Sequence, residues 1–455
     1  MVAPHPDLMK RIRNTRKLVK EKREHLIPGL VKQHPTEFIS SRDFNILDII
    51  KPWIEYSKPV KRSRKLVNDP GLFSLQPPVH DKIIVLCVNF PDKNPIWGVN
   101  NINDRFFGDE KSLKKYYTEN SYSKYIPGGE VHGWYTAPQP YSYYSNGKSG
   151  LGDYPNNTQK LVEDTINIAV NDPAINWSSF DTDGDHIIDN LFIIHTGPEG
   201  AATGSPDDIW AHVSGITPIT RNGYKFQYYA TTSEYIYWFF DPQRTGVDTH
   251  EFGHLLGLPD LYDYSGNSNG AGMFSLMAHG NWADNGTTPT HLDAWSKRFL
   301  GFTNTIVDQQ GTLFVDDAET HDTNYLFTTQ YPNEYFMIEN RQNINFDTYL
   351  PANGILLWKI NVNQTFNDNE LCYKVGLVQA DGMKHLENAV NAGDFGDAYP
   401  GSTVNLSVGR NTIPSTVLCN GSFPTLSIKD ISGSANTMSL VAEFCTKFGT
   451  HISIV

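Results

Sequence analysis

The sequence predicts an α/β domain followed by a mostly β, sandwich-like domain, with a basic helical segment ahead of both. Three observations support this fold class. Apolar, strand-like runs alternate with helix-like stretches between residues 80 and 300, as is typical of α/β folds. After residue 301, apolar and polar residues alternate and Gly, Asn and Asp turns are frequent, which favours β-strands. Residues 1–70 combine helical periodicity with a basic composition.

The α/β part is predicted to span residues 77–310 and the β-rich part residues 311–455. A twisted sheet and a helix that carries the functional residues are expected in the first part, and sandwich strands in the second. The predicted strands are 82–90, 190–195, 334–340 and 354–360, and the predicted helices are 111–119 and 157–170.

The four cysteines are too few and too widely spaced for a disulfide framework or a structural zinc site. Cys87 lies inside the strand-like run 82–90 and is expected to be buried. The other three allow at most one bridge, for which we predict Cys419 with Cys445.

The amino-terminal region differs from the rest of the chain in charge. Residues 1–70 hold 16 Lys and Arg against 8 Asp and Glu, whereas the 455-residue chain has a net charge of −13. A basic segment that lies on an acidic body is typical of a prosegment, although a nucleic-acid arm would have a similar charge. No aromatic interleaving or nucleic-acid fold accompanies it, so no nucleic-acid partner is expected. We predict a helical prosegment over 1–76, with a side chain that reaches the active site; the candidates are Asp7, His34 and Asp43.

The most informative motif is His250-Glu251-Phe252-Gly253-His254, an HExxH pattern. Histidines four residues apart lie on one face of a helix, so both imidazoles can bind one zinc ion. Glu251 lies beside them, where its carboxylate can take a proton from zinc-activated water, whose pKa falls to roughly 7 at a three-ligand zinc. The pattern therefore predicts a zinc-dependent peptidase with Glu251 as the general base.

The residues around the motif indicate how the helix is built and which residue completes the zinc site. Asp248 is predicted to cap the helix and Gly257 to end it with a positive φ. The chain then turns, so that Asp260 can return to the metal as the third ligand, which leaves one position for water. No Glu occurs from residue 255 to 318, which argues against a Glu ligand from a second helix. Alternatives to Asp260, if the loop folds differently, are Asp263 and His279.

An acidic loop offers a separate metal site. Asp181, Asp183, Asp185 and Asp189 occupy loop positions one, three, five and nine, and the carbonyl of Ile187 occupies position seven. This spacing wraps oxygen ligands around calcium, although His186 stands where Gly is expected and must either take a left-handed conformation or bend the loop elsewhere. At least one structural calcium ion is therefore predicted. Asp394 and Asp397 are candidates for another.

Read in order, the motifs resemble the immune inhibitor A family of secreted zinc metalloproteases, over most of residues 80–410. The resemblance implies a metzincin-like catalytic domain, a secreted endopeptidase made as a zymogen, His250, His254 and Asp260 on zinc, and Met277 beneath the site. His279 lies where some metzincins place an oxyanion-stabilising Tyr, and a packing role is the alternative. Besides the zinc helix, the motifs are 116–117, 119–122, 129–135, 181–189, 209–212, 272–280, 294–297, 339–342, 379–382 and 399–401.

Composition restricts where the protein is expected to act and which partners it is expected to have. No run of about 18 apolar residues exists, so no membrane span is predicted, and residues 1–10 lack the apolar region of a signal peptide. We expect an extracellular monomer that acts on protein or peptide substrates, without a signal peptide in this chain. The competing hypothesis is a non-catalytic or permanently blocked protease scaffold that serves as a calcium-dependent surface-binding module.

Overall fold

The computed structural model describes residues 3–5, 80–236, 244–424 and 426–444. The predicted prosegment helices, its three candidate inhibitory residues and Cys445 lie outside these ranges. None of the helices in the described ranges combines the length and the apolar character that crossing a membrane requires.

A five-stranded sheet forms the centre of the α/β part. In the order β2-β1-β3-β5-β4, the first four strands run parallel, and β4 is antiparallel at the edge. β1 and β3 are buried along almost their whole length, as expected for apolar runs in the middle of a parallel sheet. The strands are β1 (Lys82–Asn89), β2 (Gly128–Thr136), β3 (Leu191–Pro198), β4 (His212–Arg221) and β5 (Tyr224–Tyr235).

Helices cover both faces of this sheet. The odd-numbered side chains of β1, such as Ile83 and Val85, pack with α1, α2 and α6, whereas the even-numbered ones, such as Ile84 and Leu86, pack with α4. The helices are α1 (Val99–Phe107), α2 (Leu113–Asn120), α3 (Tyr141–Ser145), α4 (Thr158–Ala169), α5 (Gly200–Thr203), α6 (Gly246–Leu255) and α7 (Ala294–Phe299). Short 3₁₀ helices occur at Trp177–Phe180, Gly272–Phe274, His279–Gly286 and Asn345–Tyr349.

Two further sheets form the β-rich part. The larger has the order β11-β10-β9-β8-β6 and the smaller β12-β13-β7. Their facing side chains, including Leu313 and Leu440 from the smaller sheet and Phe336 and Leu357 from the larger, form one buried cluster, which makes this region a sandwich. The strands are β6 (Asn304–Val307), β7 (Gly311–Asp316), β8 (Thr323–Thr328), β9 (Glu334–Arg341), β10 (Gly354–Asn361), β11 (Val375–Leu377), β12 (Leu426–Lys429) and β13 (Thr437–Phe444).

The other face of the larger sheet joins the core beneath α6. Met337 and Trp358 belong to the same buried cluster as Phe252 and Met277. The α/β and β-rich parts therefore share one continuous core.

The sequence predictions for regular structure agree with these boundaries to within a few residues, and the α/β-then-β organisation is confirmed. Cys87 is fully buried, as predicted, and burial raises the pKa of its thiol. The predicted Cys419–Cys445 bridge is wrong, because Cys419 is bonded to Cys372. That partner comes from a loop 47 residues earlier in the chain, which only the folded arrangement brings close.

Candidate metal centre

The HExxH motif lies on α6, and every residue of this helix is buried. A Cβ on Gly246 would lie 2.0 Å from the carbonyl oxygen of Asn281, so the helix begins in close contact with the 279–286 segment. Gly257 follows the helix with φ +99°, as predicted. The predicted N-cap is wrong: Thr245 precedes the helix, and Asp248 lies inside its first turn. Asp248 is instead buried against Arg105, with 2.9 Å between the guanidinium Nε and its Oδ2.

His250, His254 and Asp260 converge on one point. The Asp260 Oδ1 atom lies 3.0 Å from the Nε2 atom of His250 and 3.2 Å from that of His254. All three residues are at most 9% exposed. Burial by itself would raise the pKa of the Asp260 carboxyl, but His254 and the hydrogen bonds with both imidazoles hold that pKa well below its usual range. The structure thus brings the three predicted zinc ligands together, with the carboxylate in its charged form.

Neighbouring polar groups orient all three donors. The Nδ1 atom of His250 lies 2.9 Å from the carbonyl oxygen of Leu276, and that of His254 lies 2.8 Å from the carbonyl oxygen of Leu258. A carbonyl can only accept, so each Nδ1 carries a hydrogen, and each Nε2, which faces Asp260, is the nitrogen that can bind a metal. The Tyr264 hydroxyl donates to Oδ2 of Asp260. This arrangement of a ligand supported by an outer hydrogen bond is typical of protein metal sites.

Glu251 is the next residue on the helix and is completely buried. Among the residues that the structure describes, neither of its carboxylate oxygens has a hydrogen-bond partner. Buried carboxylates are otherwise nearly always hydrogen-bonded, since an unsatisfied one is costly. The two open oxygens indicate that this part of the site is shaped for a bound group.

Met277 packs directly beneath the helix. A Cβ on Gly253 would lie 2.6 Å from the Met277 sulfur and 3.3 Å from the Tyr117 hydroxyl oxygen. A side chain at this position would therefore force Met277 to shift. The Tyr117 hydroxyl also donates to the carbonyl of Thr249, which ties α2 to the same helix.

The two alternative third ligands are placed elsewhere. Both oxygens of Asp263 accept hydrogen bonds inside its own loop, from the N–H groups of Ser265 and Ser268 and from the Ser268 hydroxyl. His279 is 3% exposed and begins the 279–286 helix, where its ring centroid lies 6.4 Å from that of Tyr262. Neither belongs to the group that converges with His250 and His254.

The acidic loop brings Asp181, Asp183 and Asp185 together, with one oxygen of each within 4.8 Å of the others. His186 has φ +63°, the left-handed conformation that the calcium pattern requires. Asp189 instead accepts hydrogen bonds from the N–H and hydroxyl of Thr182. Ile187 is joined to Lys225 by a β-bridge. Three of the four predicted carboxylates therefore converge.

Two tyrosines near the centre were not anticipated from the sequence. Tyr264 fixes Asp260, and Tyr262 is buried where the charges of Asp260 and Glu251 act on its hydroxyl. Burial, together with these charges, raises the pKa of Tyr262 well above its usual value, so this hydroxyl keeps its proton. Their position four or fewer residues after Asp260 was the available signal, but the direction of the side chains depends on the loop.

Two imidazoles from one helix and a buried carboxylate, with a Glu beside them, are typical of metallopeptidase sites. Residues 96–306 match the family model described as Immune inhibitor A peptidase M6, catalytic domain. Residues 96–306 are thus similar to the catalytic domain of this family, and the resemblance predicted from the motifs is confirmed.

Named relatives agree with this assignment. Pre-pro-metalloprotease PrtV of Vibrio cholerae serotype O1 (strain M66-2) is 28% identical over 279 residues, which are 48% of this chain and 29% of that protein. Immune inhibitor A of Bacillus thuringiensis subsp. alesti is 31% identical over 273 residues, 48% of this chain and 39% of that protein. The matches thus cover about a third of the length of these relatives.

A solved structure, catalytically inactive OgpA from Akkermansia muciniphila in complex with an O-glycopeptide substrate, is 14% identical. The match covers 66% of this chain and 94% of the OgpA chain, with a TM-score of 0.27.

Proposed function

We propose that this chain is a secreted zinc-dependent endopeptidase that hydrolyses peptide bonds of protein substrates, with Glu251 as the general base. One observation carries the proposal. The ligand atoms of His250, His254 and Asp260 lie within 4.8 Å of one another, beside a buried carboxylate that has no hydrogen-bond partner among the described residues.

The donor set fits zinc. Two imidazole nitrogens and one carboxylate oxygen are the ligand types of catalytic zinc, and three protein ligands leave a position open. When bound, zinc supplies a Lewis acid that polarises the scissile carbonyl and acidifies water. The carbonyls of Leu276 and Leu258 and the hydroxyl of Tyr264 hold the three donors in the orientation that binding requires.

Glu251 accepts a proton from the attacking water and returns it to the leaving nitrogen. A general base must be within reach of this water and must not be engaged by other donors. The burial of Glu251 and its two open oxygens meet the second condition. His279 keeps both predicted roles, an oxyanion donor or a packing residue.

The chain's own residues 3–5 support a peptide-binding cleft and a zymogen. The carbonyl of Ala3 accepts a hydrogen bond of 2.8 Å from the indole N–H of Trp282, and the N–H of His5 donates to the carbonyl of Ala201 at 2.9 Å. Trp282 shares a buried cluster with Val247, one turn before Glu251 on α6. Residues 3–5 are thus held beside the active-site helix by one indole–carbonyl and one main-chain hydrogen bond, as a prosegment in its cleft would be.

The proposal includes calcium at the acidic loop and a metzincin-like arrangement in which Met277 supports the histidines. Convergence of Asp181, Asp183 and Asp185 supports the calcium site, because three neighbouring carboxylates repel one another unless a cation neutralises them. The packing of Met277 against Gly253 supports the second feature.

Metal content and activity of the purified chain test the proposal together. We expect zinc that is lost in His254→Gln, and casein hydrolysis that rises after trypsin nicks the amino-terminal segment. His321→Gln, at an exposed histidine far from the motif in sequence, is the control and should keep both properties. A folded wild-type chain whose zinc content is the same as that of His254→Gln would overturn the zinc site. Zinc without activity after nicking would favour the non-catalytic scaffold.

A further inference from the structure

We propose that Asp381, His385 and Asp394 form a second divalent-cation site of zinc type in the β-rich part of the chain. One ligand atom from each residue lies within 4.8 Å of the others. None of the three residues takes part in the candidate catalytic centre, so this inference goes beyond the proposed function and does not depend on it.

Backbone pairing brings the ligands together. After β11, the N–H of Ala380 donates to the carbonyl of Asp397, and the N–H of Asp381 donates to that of Gly396. These bonds close the 381–396 segment into a loop, with Asp381 at its beginning and Asp394 near its end. His385 lies within this loop, and its Nδ1 atom is 2.9 Å from Oδ2 of Asp394. The arrangement is therefore set by strand-like contacts at the base of the loop.

A buried carboxylate beside the cluster points to a ligand. Asp397 is 0% exposed, and its Oδ2 accepts a hydrogen bond of 2.7 Å from the N–H of Asp394. Its Oδ1 has no partner among the residues that the structure describes. A carboxylate without a partner, next to two others, is what a cation would satisfy.

The hydroxyl of Tyr399 is a second buried polar group of this kind. Tyr399 is 0% exposed, and no hydrogen-bond partner for its hydroxyl lies in the described ranges. Tyr399 follows Asp397 by two residues in the chain. Two unsatisfied buried groups around one cluster are unusual in a folded protein.

The backbone at Gly396 lies close to the carboxylates of Asp381 and Asp394. A Cβ at this position would lie 2.3 Å from Oδ2 of Asp381 and 3.0 Å from Oδ1 of Asp394. The backbone therefore approaches both carboxylates more closely than any side chain would permit.

The donor types favour zinc over calcium. Calcium takes six to eight oxygen ligands, whereas zinc is bound by mixed sets of imidazole nitrogen and carboxylate oxygen, typically four in number. Asp381, His385 and Asp394 supply such a set, and Asp397 lies next to it as a third carboxylate. His385 has 29% of its side chain exposed and Asp394 35%, which leaves a path by which an ion can enter.

The site would brace the segment that leads to Met277. The N–H of Asn269 donates to the carbonyl of Leu386, and the N–H of Met273 donates to that of Ala392. Both acceptors lie between His385 and Asp394. A cation that joins these two side chains would therefore hold the loop against residues 269–273, four residues before Met277.

Zinc binding by the full chain tests this site, with His385→Gln as the variant and His321→Gln as the matched control. His321 also pairs with an aspartate, at 3.4 Å from Asp317, but belongs to no three-residue cluster in the described part of the chain. Zinc content is measured by mass spectrometry after dialysis, and the thermal unfolding midpoint is measured with and without added zinc. Asp394→Asn serves as a second variant.

We expect His385→Gln and Asp394→Asn each to lose the zinc equivalent of the second site and the zinc-dependent rise of the unfolding midpoint. His321→Gln and His254→Gln should retain this zinc equivalent. Unchanged zinc content in both variants would overturn the proposal. Retention of calcium alone, with equal affinity in wild type and His385→Gln, would also overturn it, because the imidazole would then not be a ligand. Loss of zinc in His254→Gln alone would agree with the proposed catalytic zinc and refute the second site. The two proposals can therefore fail separately.

Discussion

The candidate catalytic centre and the acidic loop at 181–189 both gather metal-ligating side chains, but they are built in opposite ways. At the centre, His250, His254 and Asp260 are buried, and groups from Leu276 and Tyr264 orient them. In the loop, Asp183 and Asp185 are exposed. The loop carboxylates are held by N–H groups of the loop itself; those of Gly184 and His186, for example, donate to Asp181.

The difference shows what burial demands of a metal site. A charge that is removed from water costs several kcal/mol unless partners compensate it, so the tertiary structure must supply these partners before a metal binds. An exposed loop remains solvated, and local backbone turns are enough to shape it. Substitutions at the centre should therefore change function strongly, whereas substitutions in the loop should act mainly through stability and only when calcium is present.

The largest effect on activity is expected from a substitution at Glu251. Glu251→Gln keeps the shape of the side chain but removes its basicity, and should lower kcat/KM by about 10²–10⁴-fold, the usual contribution of a general base. Zinc content should not change. Casein hydrolysis after trypsin nicking measures the effect, and Asp183→Asn in saturating calcium is the comparison, with activity close to wild type. Equal losses in both variants would contradict the distinction between the two sites.

The next largest effect concerns Asp248, whose buried carboxylate pairs with Arg105 beneath the active-site helix. Asp248→Ala leaves the guanidinium without this partner and should lower the free energy of unfolding by about 3–5 kcal/mol. Asp109→Ala, at an exposed carboxylate, should change it by less than about 0.5 kcal/mol. Denaturant unfolding checks both values. Similar midpoints for the two variants would show that the buried pair does not stabilise the fold.

Tyr264→Phe tests the support of the third ligand. Loss of the hydroxyl that donates to Asp260 should weaken zinc binding by about 10–100-fold, the usual effect of an outer-shell partner. Competition with a chelator measures the affinity. Tyr154→Phe, at an exposed tyrosine that donates to Glu163, is the matched control. An affinity unchanged by Tyr264→Phe would mean that Asp260 needs no outer partner.

A smaller effect is expected from the pH dependence of Glu199, a buried carboxylate that accepts hydrogen bonds from the N–H groups of Ala201 and Ala211. Burial raises its pKa from 4.5 to about 7. Between these values the folded chain keeps a proton that the unfolded chain has lost, so stability falls as pH rises, by at most about 1.4 kcal/mol per pH unit. Glu199→Gln should flatten this slope in denaturant unfolding between pH 4.5 and 7. An equally steep slope in the variant would refute the assignment.

The smallest effect is expected from calcium at the acidic loop. Calcium at about ten times its dissociation constant should stabilise the wild type by about 1.4 kcal/mol. Asp183→Asn should remove this gain and leave the stability in chelator unchanged, because Asp183 is exposed. Thermal unfolding with and without calcium provides the measurement. A calcium response that survives in the variant would remove the loop from the proposal.

Much of the architecture could be predicted because it depends on local periodicity. The strand-like runs at β1, β9 and β10 and the helices α2 and α4 follow from apolar spacing, and the structure has them within a few residues of the predicted bounds. The convergence of His250, His254 and Asp260 could be predicted as well, since the spacing of the two histidines on a helix and the positive φ at Gly257 are local properties.

The sequence-based predictions that are wrong concern contacts between segments that are distant in the chain. Asp248 was predicted as a cap from its position ahead of the motif, but Arg105 on α1 holds it inside the helix. Cys419 pairs with Cys372 rather than with the predicted Cys445. Such partners depend on how loops pack, and sequence spacing carries no information about that packing.

The sequence by itself determined the α/β-then-β organisation, the helix that carries the catalytic motif and the order of metal-ligating residues, because helices, strands and turns respond to neighbours within about one or two turns of the chain. The tertiary structure alone decided that Tyr264 fixes Asp260, that Met277 lies against Gly253 and that Asp381, His385 and Asp394 meet. The physical reason is burial: a desolvated polar group needs a partner, and only the folded chain brings that partner from a distant segment.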